Sequence, residues 1–286
     1  MANIRSIKRR IKSVQNISQI TKAMEMVAAS KMKKAQDIAL MGKPYADRIY
    51  ELTKEFAGKV DISLHPLLST GNPEGKILLV VISSNKGLCG SLNTNLFRKI
   101  YNFIGNNRNF DCVSIGRKAA SFLIKSKNNL IADFSDKQKF IDSVPAVTKI
   151  IVEGFINSKY KGVYIGYSNF INVLKQEPSI KMILPISSLG EEVHVSGSIA
   201  KKDIIIEPNF DEVLEFLLPH YLENQLRSAI HEGEASEHSA RMIAMKNATD
   251  AALDFMESLT LIYNKARQEK ITYEIADIVT ARAAFE

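Results

Sequence analysis

The two ends of this chain are patterned for helices far longer than a globular core requires. Residues 1–41 contain no glycine and no proline, and apolar residues recur at Ile4, Ile7, Ile11 and Val14, then at Ile17, Ile20, Met24 and Val27. Spacings of three and four form a helical stripe. The stripe slips by one residue between Val14 and Ile17, which implies a changed winding or a second contacting surface. Gly42 and Pro44 mark a candidate kink. The pattern then resumes at Ile49, Leu52 and Phe56 and stops near Gly58. A helix of about 55 residues would span roughly 80 Å.

Residues 209–286 are the counterpart. Pro219 is the last proline, and Gly233 is the only glycine after it. An apolar stripe runs through Val213, Leu217, Tyr221, Ala229, Met242, Phe255, Leu259, Ile262, Ala266, Ile275, Ile278 and Val279. It predicts a helix of about 70 residues, on the order of 100 Å long. Neither stripe can be satisfied alone. The simplest arrangement pairs the two helices in an antiparallel coil.

Between them the period changes. Residues 76–83 (KILLVVIS) form a continuous β-branched run, the mark of a strand buried on both faces. After the loop SNKGLCGS, residues 92–103 read as a helix, 111–115 as a strand and 117–125 as a helix. Residues 144–160 read as a helix capped by Ser143 with Pro145 in its first turn. Residues 162–170 and 180–186 read as further strands. Alternating strands and helices predict a mainly parallel, Rossmann-like sheet. The organisation is therefore a helix over 1–58, an α/β domain over 76–207 and a helix over 209–286.

Composition limits the function. Residues 1–58 hold 12 basic and five acidic side chains, a net +7 equal to that of the whole chain. One helix thus carries the excess, which suits an acidic partner, nucleic acid or anionic lipid. No run of 18 apolar residues occurs, so membrane association is expected only through partners. Cys89 and Cys112 make neither a disulfide framework nor a zinc site and read as buried thiols.

Local motifs carry little chemistry. The turn Gly87-Leu88-Cys89-Gly90 has two glycines rather than three, and Gly116-Arg117 stands where a ribose-binding acid would be, so no cofactor is expected. A tight turn relieved by glycine explains it better. His231 and His238 in HEGEASEH lie seven apart and read as a solvated, charged helical face, not a metal site. Lys8, Arg9, Arg10 and Lys12 read as the polar side of an amphipathic helix, so no nucleic acid is expected. Met24, Met26 and Met32 lie among Ala28, Ala29 and Ser30, as in close helix packing or a smooth sliding surface. No catalytic arrangement is apparent, which favours a mechanical or scaffolding role.

Four segments carry a resemblance. Residues 20–33 (ITKAMEMVAASKMK), 86–93 (KGLCGSLN), 239–250 (SARMIAMKNATD) and 263–274 (YNKARQEKITYE) resemble, in order, segments of F-type ATP synthase gamma subunits of bacteria. The resemblance implies a non-catalytic rotor shaft: paired terminal helices inside a hexamer of alpha and beta subunits, with the α/β domain below, against epsilon and the c-subunit ring. Proton-driven rotation of that ring would turn the shaft and cycle the catalytic beta subunits through ATP synthesis. The complex would sit at the cytoplasmic face of the inner membrane. By the same resemblance, Arg267 and Gln268 match a pair bonded to a beta-subunit loop, and Thr272 and Glu274 match neighbouring coupling positions. Met24 matches the N-helix position facing them, and Arg241 a polar contact position. Glu207 and Pro208 match the foot that meets epsilon and the c ring. The chain departs from the family where Thr280-Ala281-Arg282-Ala283 replaces a glycine-alanine tip. A coiled-coil adaptor without rotation is the alternative, and would self-associate through its exposed seams.

Overall fold

A computed structural model describes residues 4–57, 65–69, 71–105, 109–137, 139–186 and 209–283. Glu207 and Pro208 lie outside them. The elements run α1 (Ile4–Ala57), β1 (Lys76–Ile82), α2 (Leu92–Ile104), β2 (Phe110–Ile115), α3 (Arg117–Lys125), β3 (Asn129–Asp133), α4 (Val144–Ile156), β4 (Tyr160–Phe170), β5 (Gln176–Leu184) and α5 (Phe210–Ala283). The long N- and C-terminal helices pack together, and the central sheet is mainly parallel. Two compact units are distinguished: residues to Ala29 with those from Arg241 on, and residues 30–240.

In the larger unit, five strands take the order β3-β2-β1-β4-β5, parallel except for β4 with β5. The continuous apolar run of β1 is explained by its two buried faces. Leu78, Val80 and Ile82 pack with α4 and with Leu218, Tyr221, Leu222 and Leu226 of α5. Leu79 and Val81 pack with Leu96 and Ile100 of α2 and Leu123 of α3. Alternate residues of one strand thus enter two cores. The lower part of α1 joins the first core at Ile49, and Tyr50 meets the Tyr221 ring at 6.4 Å between centroids.

Three local expectations are corrected. α4 ends at Ile156, because the chain turns out through Ser158 at φ +54 so that Tyr160 can open β4. Ser143 does not cap it; its hydroxyl donates to the Phe140 carbonyl. β3 was not foreseen, since NLIAD is a short edge strand with exposed ends.

In the smaller unit, the seam positions of α1 are Ile4, Ile7, Ile11, Val14, Ser18, Thr21, Glu25 and Ala28, all buried or half-buried, with Ser6, Met24 and Ala29 half-buried beside them. This is an unbroken alternation of three and four, so the packed seam does not slip. The apolar stripe leaves it instead: Ile17 is 49 %, Ile20 59 % and Val27 56 % exposed. The packed seam shows no change of winding, and these apolar side chains lie on an uncovered face. On α5, residues 241–244 and Ala248 are half-buried, and the seam continues through Met245, Thr249, Ala252, Met256, Leu259, Tyr263 and Ala266. Phe255 and Ile262 face outward, against expectation, because the seam keeps its 3.5-residue spacing past them. α1 remains one helix through Pro44.

Candidate functional surfaces

Strand order reverses beside β1, where β2 and β4 flank it; in open α/β sheets, ligands settle at the carboxyl ends of strands at such a point. Here the chain satisfies that end itself. The first backbone N–H groups of α3 would otherwise attract an anion. Arg117 N–H donates to Asn85 Oδ1 at 2.9 Å, Lys118 N–H to the Ser84 carbonyl at 3.2 Å, and Ala119 N–H to Ser83 Oγ at 2.7 Å. Gly116 holds φ +101, and a Cβ there would fall 2.2 Å from the Ser83 carbonyl oxygen. Glycine is therefore required at this close crossing.

The GLCG turn is tied down by a residue the sequence reading did not single out. Asn93 Nδ2 donates to Ser84 Oγ at 2.7 Å and to Cys89 Sγ at 3.2 Å, and its Oδ1 accepts from Ser84 N–H at 3.4 Å. Leu88 and Gly90 take positive φ, +63 and +58, so Gly90 rather than Gly87 is the conformationally demanding glycine. Both cysteines are buried. Burial first, and then the Asp111 charge, pushes the Cys112 thiol up to about 12, so it carries little thiolate at neutral pH.

The segment HEGEASEH closes the same crevice, correcting its reading as a solvated face. Ala235 is 2 % and Ser236 0 % exposed. A Cβ on Gly233 would sit 3.4 Å from Ile82 Cγ2. The remaining cleft between Ser83, Asn93, Ser168, Glu234 and Glu237 admits about one water molecule, not a nucleotide. Among the described residues, no three His, Cys, Asp or Glu side chains are placed to hold a metal ion.

At the opposite end of the strands, Asp111 is 1 % exposed. It accepts from Lys76 Nζ at 3.0 Å, Asn129 Nδ2 at 2.7 Å and Lys159 Nζ at 2.9 Å. Burial raises its pKa, but the hydrogen bonds from Lys159, Asn129 and Lys76 outweigh that and hold the carboxyl below its ordinary range. This cluster joins β1, β2, β3 and the start of β4, and its chemistry is structural.

The expected contact residues lie on the helices of the smaller unit. Thr21 Oγ1 and Thr249 Oγ1 meet at 2.8 Å, which sets the level of the antiparallel pair. Counting helical rise from there, Ile11 stands level with Leu259 and Ile4 with Ala266. Half-buried Met24 therefore lies near half-buried Arg241, within about two turns. It does not face Arg267, which is about 32 Å farther along α5.

Arg267, Gln268, Thr272 and Glu274 are all exposed. The Thr272 hydroxyl donates to the Gln268 carbonyl at 3.0 Å, and Glu274 pairs with Lys270 at 3.2 Å. From 267 to 282 every residue of α5 is exposed, including Ile271, Tyr273, Ile275, Ile278 and Val279. These five apolar side chains form the largest uncovered run on the helix.

Comparison with known proteins places this architecture. A family model described as ATP synthase matches residues 3–285. An ATP synthase gamma chain of Roseiflexus castenholzii is 40% identical over 292 residues, covering 99% of both chains. One of Dehalococcoides mccartyi is 41% identical over 294 residues at the same coverage. Among solved structures, a chain in the central stalk and c ring of the Tetrahymena thermophila mitochondrial ATP synthase superposes with TM-score 0.61 at 26% identity, covering 80% of this chain and 99% of that one. A chain of the Euglena gracilis mitochondrial assembly shares the fold, with TM-score 0.67 at 20% identity, covering 99% of this chain and 94% of that one.

Proposed function

Because this chain belongs to the ATP synthase gamma-chain family, we propose that it is the central rotor shaft of an F-type ATP synthase, a non-catalytic subunit that couples rotation to ATP synthesis. The observation that carries this reading is the end-to-end match to gamma chains at about 40% identity. The physical features agree with it. A shaft needs a rigid paired helix, a bearing surface that is apolar yet uncovered in the isolated chain, and no active site of its own. The outward stripe of Ile17, Ile20 and Val27 and the uncovered end of α5 supply that surface.

In this reading the helices over 1–58 and 209–286 form the shaft, and the domain over 76–207 is its foot. The shaft stands in a hexamer of alpha and beta subunits. Arg267 and Gln268 bond a beta-subunit loop, for which the planar fork of arginine suits a carboxylate. Thr272 and Glu274 flank that contact. Met24 and Arg241 form a second contact lower down, and Glu207 and Pro208 meet epsilon and the c ring. The basic face of α1 suits acidic partner surfaces. No described helix is long and apolar enough to cross a membrane, and the chain is held peripherally at the cytoplasmic face of the inner membrane through the c ring.

A shaft drives its neighbours only through differential contact with their states. Two faces that differ, one seam-packed and one apolar and outward, provide that difference. The test is to pull the tagged chain from solubilised membranes and quantify bound chains by mass. Alpha and beta in equal multiple copies per copy of this chain, with epsilon and c, are expected. Recovery of only this chain with itself would favour the non-rotary adaptor. For the proposed contacts, Arg267→Ala with Gln268→Ala should leave the fold intact and lower coupled ATP synthesis. Unchanged synthesis would remove those two residues from the coupling surface.

A further inference from the structure

A short polar stretch of α5 is fastened to the sheet by directional bonds. The Ser236 hydroxyl, fully buried, donates to the Ser168 carbonyl at 2.9 Å. Pro178 stands opposite Ser168 in β5 and has no N–H to offer. The Ser239 hydroxyl donates to the Val173 carbonyl at 2.6 Å and accepts from Gln176 Nε2 at 3.3 Å. The buried Tyr167 hydroxyl donates to Glu232, and burial first, then that carboxylate, pushes the tyrosine pKa up. All three anchors lie on β4, β5 and the turn between them.

We propose that Glu232, Ser236 and Ser239 form a torque clamp, which holds α5 in one axial and rotational register on the sheet so that turning load passes from the sheet into the shaft helix. The inference rests on the rotary reading above. Apolar burial of α5 between Leu214 and Ile230 resists separation, but it is non-directional. A one-residue slip moves a helix only about 1.5 Å and 100°, and apolar neighbours repack across such a step. Hydrogen bonds do not. A slip would set Ala235 or Glu237 where Ser236 stands and leave the Ser168 carbonyl buried without a donor. Gly233, Ala235 and Ser236 keep side-chain bulk low, so the helix backbone approaches closely enough for short hydroxyls to reach. A pure scaffold would not need such bonds at the level where its helix leaves the sheet.

The test uses the assembled complex in sealed vesicles, reading protons pumped per ATP hydrolysed against an increasing opposing proton gradient. With Ser236→Ala and Ser239→Ala, hydrolysis should keep its rate. Pumping should match the unaltered chain at low gradient and be lost progressively as the gradient, and hence the load, rises. Ser239→Thr beside an unaltered Ser236 keeps both hydroxyls and should keep pumping under load. Tyr167→Phe, which removes one bond and little volume, should show the same load dependence more weakly, and serves if the double variant assembles poorly. A pumping ratio equal to the unaltered chain at every load overturns the clamp and leaves the rotary reading standing. A loss that is independent of load also overturns it. Failure of the unaltered chain to couple in the same vesicles overturns the rotary reading itself, and the clamp with it.

Discussion

Between Leu214 and Ile230, α5 buries Leu214, Leu218, Tyr221, Leu222, Leu226 and Ile230 to 1 % exposure or less. Between Met245 and Leu259 its buried apolar side chains are Met245, Ala252 and Leu259. Past Ala266 it buries none through residue 282. The same helix is thus packed first on a sheet and then on one partner helix, and beyond that it lies exposed among the described residues. The first region meets a surface two strands wide or more; the second meets a seam one residue wide. Since stabilisation follows apolar area at about 25 cal/mol per Å², the sheet unit can close a core alone. The two-helix unit is a thin contact that leaves most of both helices for other chains.

Matched truncations test this comparison most directly. Leu222→Ala should cost about 2–5 kcal/mol, as a buried leucine in a closed core does. Leu259→Ala should cost less, about 1–2 kcal/mol, because a one-residue seam can relax around the gap and readmit water. Denaturant unfolding of the isolated chain would measure both, and equal costs would break the comparison. Hydrogen exchange sharpens it: amides near residue 222 should open only with global unfolding, and those near 259 by cheaper local opening.

Asp111 gives the next effect and belongs wholly to the sheet unit. Asp111→Asn should cost about 1–3 kcal/mol, since the buried site loses a charge that three donors address. The cost is moderate because Lys76 and Lys159 are half-exposed and can turn to water. The folded-state pKa lies below the ordinary 3.8. Its stabilising contribution is therefore full above that ordinary value and is lost as pH falls through the depressed folded value. Acid titration of the melting temperature should show this limb in the unaltered chain and lack it in Asp111→Asn.

How far the sequence led differs between the two regions for the same physical reason. Runs such as KILLVVIS and 117–125 were legible because both faces of a strand, or one face of a short helix, are read against the chain's own core. The long helices were legible as helices, from the lack of glycine and proline. Their facing was not. Ile17, Ile20, Phe255 and Ile262 look like core, yet they are exposed, because an apolar residue in a shaft has two classes of neighbour and a pattern records only that it has one. The polar segment around Ser236 misled in the opposite direction. Histidines and glutamates suggested a solvated face, whereas its small residues lie between them against the strand ends. Asn93 gave a weak signal, the last residue of KGLCGSLN.

The threonine pair at the seam should show a smaller, coupled effect. Thr249 Oγ1 also reaches the Met245 carbonyl at 2.9 Å, and Thr21 Oγ1 the Ser18 carbonyl at 3.0 Å. Two hydroxyl protons therefore serve three contacts. Thr21→Val or Thr249→Val alone should cost about 0.5–1.5 kcal/mol, and the double variant less than the sum, since removing both partners leaves no hydroxyl without its mate. Strict additivity in a double-mutant cycle would mean that the 2.8 Å contact contributes nothing of its own.

The smallest effect on the chain should accompany a large effect on its assembly. Ile17→Gln with Ile20→Gln changes side chains that are 49 % and 59 % exposed and lie off the packed seam. Exposed substitutions away from caps and networks usually stay within about 0.5 kcal/mol, and glutamine is at least as good a helix former as isoleucine. The isolated chain should therefore melt unchanged and aggregate less, since an uncovered apolar patch is removed. If those isoleucines exist to bear on the hexamer, the same variant should assemble poorly with alpha and beta subunits, or rotate with weaker coupling. A drop in the chain's own melting temperature would instead place Ile17 and Ile20 in the helix pair, and return the slip in the stripe to a change of winding. Unchanged stability with unchanged assembly would leave their exposure without a mechanical role, and would move the bearing surface to the uncovered end of α5.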